Sequence, residues 1–247
     1  MALMLLTAPA LTAQTVSAKD LPNLAPEEIV RRLDANEVFG TVSYSGTMEI
    51  DMGKRVLRKS MRSVAEGSSK SFIEFTNPED IGVRYLKIDK ELWMYFPEEQ
   101  ETIKISGHLL KEGMMGSDLS YEDALEADSL LDKYALSVAG REDLDGRPCY
   151  VLELTAKVKA VPYERQKIWI DGERFISLKT EMYAKTGKLL KESRALEVKQ
   201  LGKRWFATSL RMEDKLKQGS GTLFTMTELE FDVALPADQF SLRRLGR

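Results

Sequence analysis

The stretch Leu109-Leu110-Lys111-Glu112-Gly113-Met114-Met115-Gly116-Ser117-Asp118-Leu119-Ser120-Tyr121 interrupts a chain that otherwise reads as strands and hairpins. Two apolar pairs, Leu109-Leu110 and Met114-Met115, stand among Gly113, Gly116 and Ser117. A helix start follows at Ser120, where Asp123 three residues on makes a variant of the capping box that satisfies free N–H groups. The pattern predicts helix through Ala124, Leu125, Leu130 and Leu131 to about Tyr134. An apolar helical insertion able to swing on glycines is what a lid over a cavity requires. Its apolar surface is Leu109, Leu110, Met114, Met115, Leu119, Tyr121 and Leu125, within a lid of about 106–134.

Upstream, Pro26 with Glu27 and Glu28 opens a helix, since proline suits the first helical position and carboxylates suit its positive end. Ile29, Val30, Leu33 and Val38 form its apolar side and Gly40 ends it. From Thr41 the period changes to two, with Tyr44, Met48, Ile50 and Met52 on one face and Ser43, Ser45, Thr47, Glu49 and Asp51 on the other. Residues 54–62 carry five basic side chains, read as a solvated strand whose charges discourage edge-to-edge aggregation, or as a docking stripe for an anionic partner. Strands follow at 72–75, 83–88, 92–96 and 102–105; Leu92, Met94 and Phe96 alternate with Trp93 and Tyr95, so that strand expects cover on both faces.

Downstream, Asp145-Gly146, Asp171-Gly172, Thr186-Gly187, Leu201-Gly202 and Gly219-Ser220-Gly221 punctuate strand-like runs at hairpin spacing. Consecutive hairpins predict a single antiparallel meander of about ten or eleven strands in a mainly β (α+β) domain, and a sheet of that size must curl. Curling it around the helices leaves a concave apolar face. Read from these alternations, that face carries Met48, Ile50, Met52, Leu86, Ile88, Leu92, Met94 and Phe96 from the first half. Leu152, Leu154, Ile168, Ile170, Leu178, Met182, Leu210 and Met212 come from the second. Methionine is abundant on it, and its flexible, polarisable side chain suits ligands without fixed shape, such as acyl chains, as well as irregular cores.

The run Met114 through Asp123, Met-Met-Gly-Ser-Asp-Leu-Ser-Tyr-Glu-Asp, resembles the signature of the outer-membrane lipoprotein-sorting proteins, the LolA-like (LolA/LolB) family. The resemblance extends to Leu92-Trp93-Met94-Tyr95-Phe96-Pro97, to Asp145-Gly146-Arg147-Pro148-Cys149-Tyr150-Val151-Leu152 and to Leu235-Pro236-Ala237-Asp238-Gln239-Phe240-Ser241, covering the chain from about Pro26. It implies an unclosed β-barrel with an N-terminal helix and a helical lid. It also implies a periplasmic carrier of lipoprotein acyl chains, loaded by an inner-membrane transporter and unloaded by an outer-membrane acceptor. The family's lid-closing arginine matches no motif here; Arg58, Arg62 and Arg84 all remain open. The alternative is a binding module for another exported lipid, accessory to a membrane lipid exporter.

Composition is that of an ordinary soluble globular protein. The 247 residues carry a net charge of −3, so no basic field draws the chain to nucleic acid. Residues 1–18 hold none of the 39 acidic and 36 basic side chains and end in Val16-Ser17-Ala18, a small-x-small site. They read as a signal peptide without its basic start, leaving a monomeric carrier domain of 19–247 that begins near Lys19, or at Gln14. Lone His108 and lone Cys149 rule out His-rich or paired-cysteine metal sites, and no nucleophile elbow or phosphate loop occurs, so neither enzyme activity nor a cofactor is expected. Asp118, Glu122, Asp123, Glu126 and Asp128 cluster without calcium-loop spacing and read as helix capping and solvation.

Overall fold

The computed structural model describes residues 17–246 apart from Val38, Ala127, Ala160 and Ser220. Val38, assigned to the helix's apolar side, and residues 1–16 of the expected signal segment lie outside the described residues.

One antiparallel sheet of thirteen strands organises the molecule. From its centre, β1 (Thr41–Asp51), β2 (Val56–Glu66), β3 (Lys70–Phe75), β4 (Arg84–Ile88), β5 (Glu91–Phe96) and β6 (Glu101–Ile105) meander to one edge. From the other edge, β7 (Tyr134–Leu144), β8 (Arg147–Ala156), β9 (Arg165–Asp171) and β10 (Ser177–Tyr183) meander back. They continue through β11 (Leu189–Leu201), β12 (Arg204–Asp214) and β13 (Gly221–Phe231), and β13 pairs with β1 to join the halves. Strands β6 and β7 do not pair, so the barrel is unclosed. The segment connecting them is the one predicted as lid; topology makes it run between the two free edges. The strand count exceeds the expected ten or eleven, and Tyr134, expected to end a helix, instead opens β7. The hairpin at Asp145-Gly146 has φ of 50° and 76°, the paired positive angles that a tight two-residue turn needs.

Helix α1 (Pro26–Glu37) lies against the inner face of the β7–β9 side. Ile29, Val30 and Leu33 pack on Tyr150, Leu152 and Leu154 of β8 and on Ile168 and Ile170 of β9. Each such side chain contributes about 1.5–3 kcal/mol on burial. The other half-barrel is filled by the lid, whose Leu109, Leu110, Met114, Met115 and Tyr121 pack on Met48, Ile50, Met61, Phe75, Tyr85, Leu92 and Met94.

The outer face is apolar in two places. Phe72, Leu86, Ile88, Trp93 and Tyr95 are covered by Phe240 and by Leu245 of the C-terminal helix found beyond β13, residues Leu242–Leu245. Arg84 Nη1 donates to the Leu245 carbonyl at 3.3 Å. The two-sided cover expected for residues 92–96 is present. Leu86 and Ile88, however, belong to this outer cluster and not to the interior. Leu86 stands opposite Phe72 and Trp93, while Tyr85 and Lys87 point inward. Leu178 is likewise outside, with Cys149, Val151 and Trp169, because a register shift between Ser177 and Lys179 turns it over. Met52 lies past the end of β1 and is 40% exposed. The basic run 54–62 is not an edge: β2 lies between β1 and β3, and its Arg58 and Lys59 pair with Glu49 and Asp80.

Candidate functional site

Between α1 and the lid the inner face stays uncovered, leaving a cavity of about 560 Å³. Its floor is Tyr44 and Met48 of β1, Met61 of β2, Leu210 and Met212 of β12, and Phe224 and Met226 of β13. Leu33 and Asn36 close it from α1, and Met114, Leu119 and Ala124 close it from the lid. Asn36 fixes that end of α1 by donating to the carbonyls of Arg174 and Phe175 at 2.9 and 2.8 Å and accepting from the Trp205 amide at 3.0 Å.

Of the sixteen wall residues assigned by sequence, Met48, Leu210 and Met212 line this cavity. Ile50, Leu92, Met94 and Phe96 face inward but pack under the lid. Leu152, Leu154, Ile168 and Ile170 pack under α1. Met182 is buried opposite Lys191, away from the lining. Met61, Phe224 and Met226 went unassigned. Met61 was hidden inside a run read for its charges, although its place opposite Gly46 puts it on the inner face.

The lid is four short pieces and not one helix: turns at Gly107–Lys111 and Met114–Gly116, α2 (Tyr121–Leu125) and α3 (Leu130–Lys133). Glu126 leaves the helical conformation at ψ 121°, which ends α2. The expected capping box is present: the Ser120 side chain accepts from the Asp123 amide, and Asp123 accepts from the Ser120 amide at 2.9 Å. Gly113 does not serve through φ, which is −72°. A Cβ there would stand 2.0 Å from the Ser117 carbonyl oxygen, so glycine is required for close approach.

Polar residues of the signature bind the lid into the barrel. The Asp118 amide donates to Thr222 Oγ1 at 3.0 Å, Thr222 Oγ1 donates to Asp118 Oδ2 at 2.6 Å, and the Asp214 amide donates to Asp118 Oδ1 at 3.0 Å. Asp123 reaches further. Its Oδ2 takes Lys191 Nζ of β11 at 2.6 Å and its Oδ1 takes the Tyr163 hydroxyl at 2.5 Å. Burial pushes the Asp123 carboxyl up, but Lys191, Ser120 and Tyr163 outweigh it and hold it below the usual carboxylate value. The Tyr163 phenol is pushed far up by burial and by that carboxylate. Lys87 donates to the Ala124 carbonyl at 3.2 Å, placing a cation at the negative end of α2; burial lowers its pKa. Tyr85 and Tyr121 share a hydroxyl contact of 3.1 Å, and Tyr85 also reaches Met115 Sδ at 3.1 Å. The acidic cluster thus does more than cap and solvate, since buried Asp118 and partly buried Asp123 anchor the lid.

Elsewhere the sequence offers little chemistry. His108 is exposed on the first lid turn. The Cys149 thiol is buried and pushed up to about 12 by that burial. Among the described residues, no three His, Cys, Asp or Glu side chains are grouped to hold a metal ion, and no helix is long and apolar enough to cross a membrane.

Comparisons place this geometry. A family model described only as an uncharacterized protein matches residues 67–247. An uncharacterized protein of Methanocaldococcus jannaschii is 44% identical over 54 residues, which is 22% of this chain and 16% of that relative's length. Among solved structures, a DUF1329 family protein from Desulfovibrio piger is 29% identical, with a TM-score of 0.81 over 88% of this chain and 96% of its own. A putative outer membrane lipoprotein-sorting protein domain from Vibrio parahaemolyticus is 24% identical, with a TM-score of 0.79 over 94% of this chain and all of its own. A LolA superfamily protein from Nitrosomonas europaea is 21% identical, with a TM-score of 0.73 over 90% of this chain and all of its own. The chain belongs to the uncharacterized family whose model spans residues 67–247, and its unclosed barrel with an inserted lid is the LolA-like fold.

Proposed function

We propose that this protein is a periplasmic carrier that shields lipoprotein acyl chains in its cavity while they pass from the inner to the outer membrane. The observation carrying this reading is the cavity, walled by Met48, Met61, Leu210, Met212, Phe224 and Met226 and roofed by the lid. At about 560 Å³ it falls within the range of about 300–1,000 Å³ usual for ligand pockets. Each methylene taken out of water is worth about 0.8 kcal/mol, so an acyl chain needs such cover to cross an aqueous space. Similarity to a lipoprotein-sorting domain and to a LolA superfamily protein supports the same reading. An inner-membrane transporter would load the carrier and an outer-membrane acceptor would unload it.

The test is to purify the protein from its native host and identify bound lipid by mass spectrometry. Lipoprotein acyl chains are the expected species; a free lipid in their place would point to service of another lipid exporter. In parallel, Ala195→Phe projects a ring into the cavity from beside Leu210. It should weaken binding of a fluorescent fatty acid by about tenfold, or about 1.4 kcal/mol. A folded variant that bound the probe as well as wild type would sink the cavity as the lipid site.

A further inference from the structure

The cavity wall is chemically lopsided. On the β1, β2 and β13 side Tyr44, Met48, Met61, Phe224 and Met226 dominate, and the two hydroxyls there, Ser63 and Thr222, already have partners. On the β10 and β11 side three hydroxyls stand together, Ser177, Thr180 and Ser193. Thr180 is directly opposite Ser193 across the strand pair, and Ser177 Oγ is 3.0 Å from Thr180 Oγ1.

Most of the other polar groups of the lining are committed. Asn36 is used by backbone groups, Thr222 by Asp118, and Ser63 by Tyr44. Ser71 stands apart, opposite Lys87. Arg194 Nη2 is 3.6 Å from Asp145 Oδ2. A hydroxyl carries one donor and two acceptor sites, so one shared bond leaves the Ser177–Thr180 pair with spare capacity. Ser193 Oγ makes no hydrogen bond to any described residue.

Resting on the carrier reading, we propose that Ser177, Thr180 and Ser193 form a subsite for the neutral ester oxygens of an acyl lipid. The hydroxyls donate to an ester carbonyl, and the hydrocarbon runs from them across to Met48, Met61 and Met226. A free carboxylate is not the group served, because among the described residues the cation of the lining, Arg194, is turned to Asp145. The subsite therefore gives the cavity a polar end and fixes the direction in which a chain enters.

The experiment is displacement of bound N-phenylnaphthylamine by methyl palmitate and by a hydrocarbon of equal length, each delivered on cyclodextrin. Wild type should prefer the ester by about tenfold, the size of one net hydrogen bond. The double variant Thr180→Val with Ser193→Ala keeps shape while removing two hydroxyls. It should bring the ratio near one while holding or improving hydrocarbon affinity. Wild type accepting both equally, or a variant retaining the ratio, overturns the subsite and leaves the carrier reading intact. Failure of wild type to bind dye or either ligand overturns both. Should the double variant not fold, the infrared carbonyl stretch of isotope-labelled ester bound to wild type decides. A shift to lower frequency, diminished in Ser177→Ala, is expected; an unshifted band overturns the subsite.

Discussion

Asp123 links three elements through one carboxylate: its own helix cap at Ser120, Lys191 of β11 and Tyr163 of the β8–β9 loop. Removing one partner of a buried pair costs about 3–5 kcal/mol because the other charge is left alone. Asp123→Asn should therefore destabilise by that order in urea unfolding, and adding Lys191→Met should recover a large part of it. Additive losses in that double-mutant cycle would mean that the pair is not coupled. The pH dependence follows from sign. The folded carboxyl is depressed, so its stabilisation is fully present above the unfolded value, about 3.9, and is lost as pH falls through the lower folded value. Unfolding free energy should fall with acidification below about pH 4 more steeply in wild type than in Asp123→Asn. At this scale the capping box was legible, since Ser120 and Asp123 are three residues apart. Lys191 was not, because 68 residues separate it from Asp123 and only the fold brings them together.

The lid looks from sequence like an apolar flap swinging on two glycines, and its apolar residues do face the interior. Its attachment is polar, however, and Gly113 is there to let backbone pass backbone. Gly113→Ala should force the loop from its register and cost about 1–3 kcal/mol, as overpacked sites do, read as a lower thermal midpoint. Thr222→Val removes the hydroxyl that both accepts from and donates to Asp118. We expect faster amide exchange over residues 114–121 in that variant, with β9 and β10 unchanged. Equal protection in variant and wild type would show that Asp118 does not hold the lid. Lipid binding should loosen the same residues in wild type, because acyl chains and Met114 compete for one apolar surface.

For the whole molecule, the N-terminal turn Ala18–Asp20 is part of the folded body. Ala18 is 3% exposed, its amide donates to Asp143 Oδ1 at 3.1 Å, and Ser17 caps the turn. Cleavage after Ala18 would remove that anchor, so exported protein is expected to begin at Gln14 and not at Lys19. Intact-mass measurement on material from the native host checks this, and a start at Lys19 would show the turn to be dispensable. The sequence by itself determined most of the strands, the hairpins, α1 and the existence of an insertion, because period-two alternation, turn dipeptides and a capping box are local signals. The inner face was legible on β1 and β5, where one side of the strand is plainly polar or where both sides are apolar and covered. It failed on β4 and β10, where an outer apolar cluster and a register shift exchange the faces. Only the tertiary structure decided which part of that face is cavity. Helix α1 covers Leu152, Leu154, Ile168 and Ile170, and the lid covers Leu92 and Met94, leaving the middle strands bare. Alternation tells a side chain to turn inward, but which inward surface remains open depends on where distant helices come to rest.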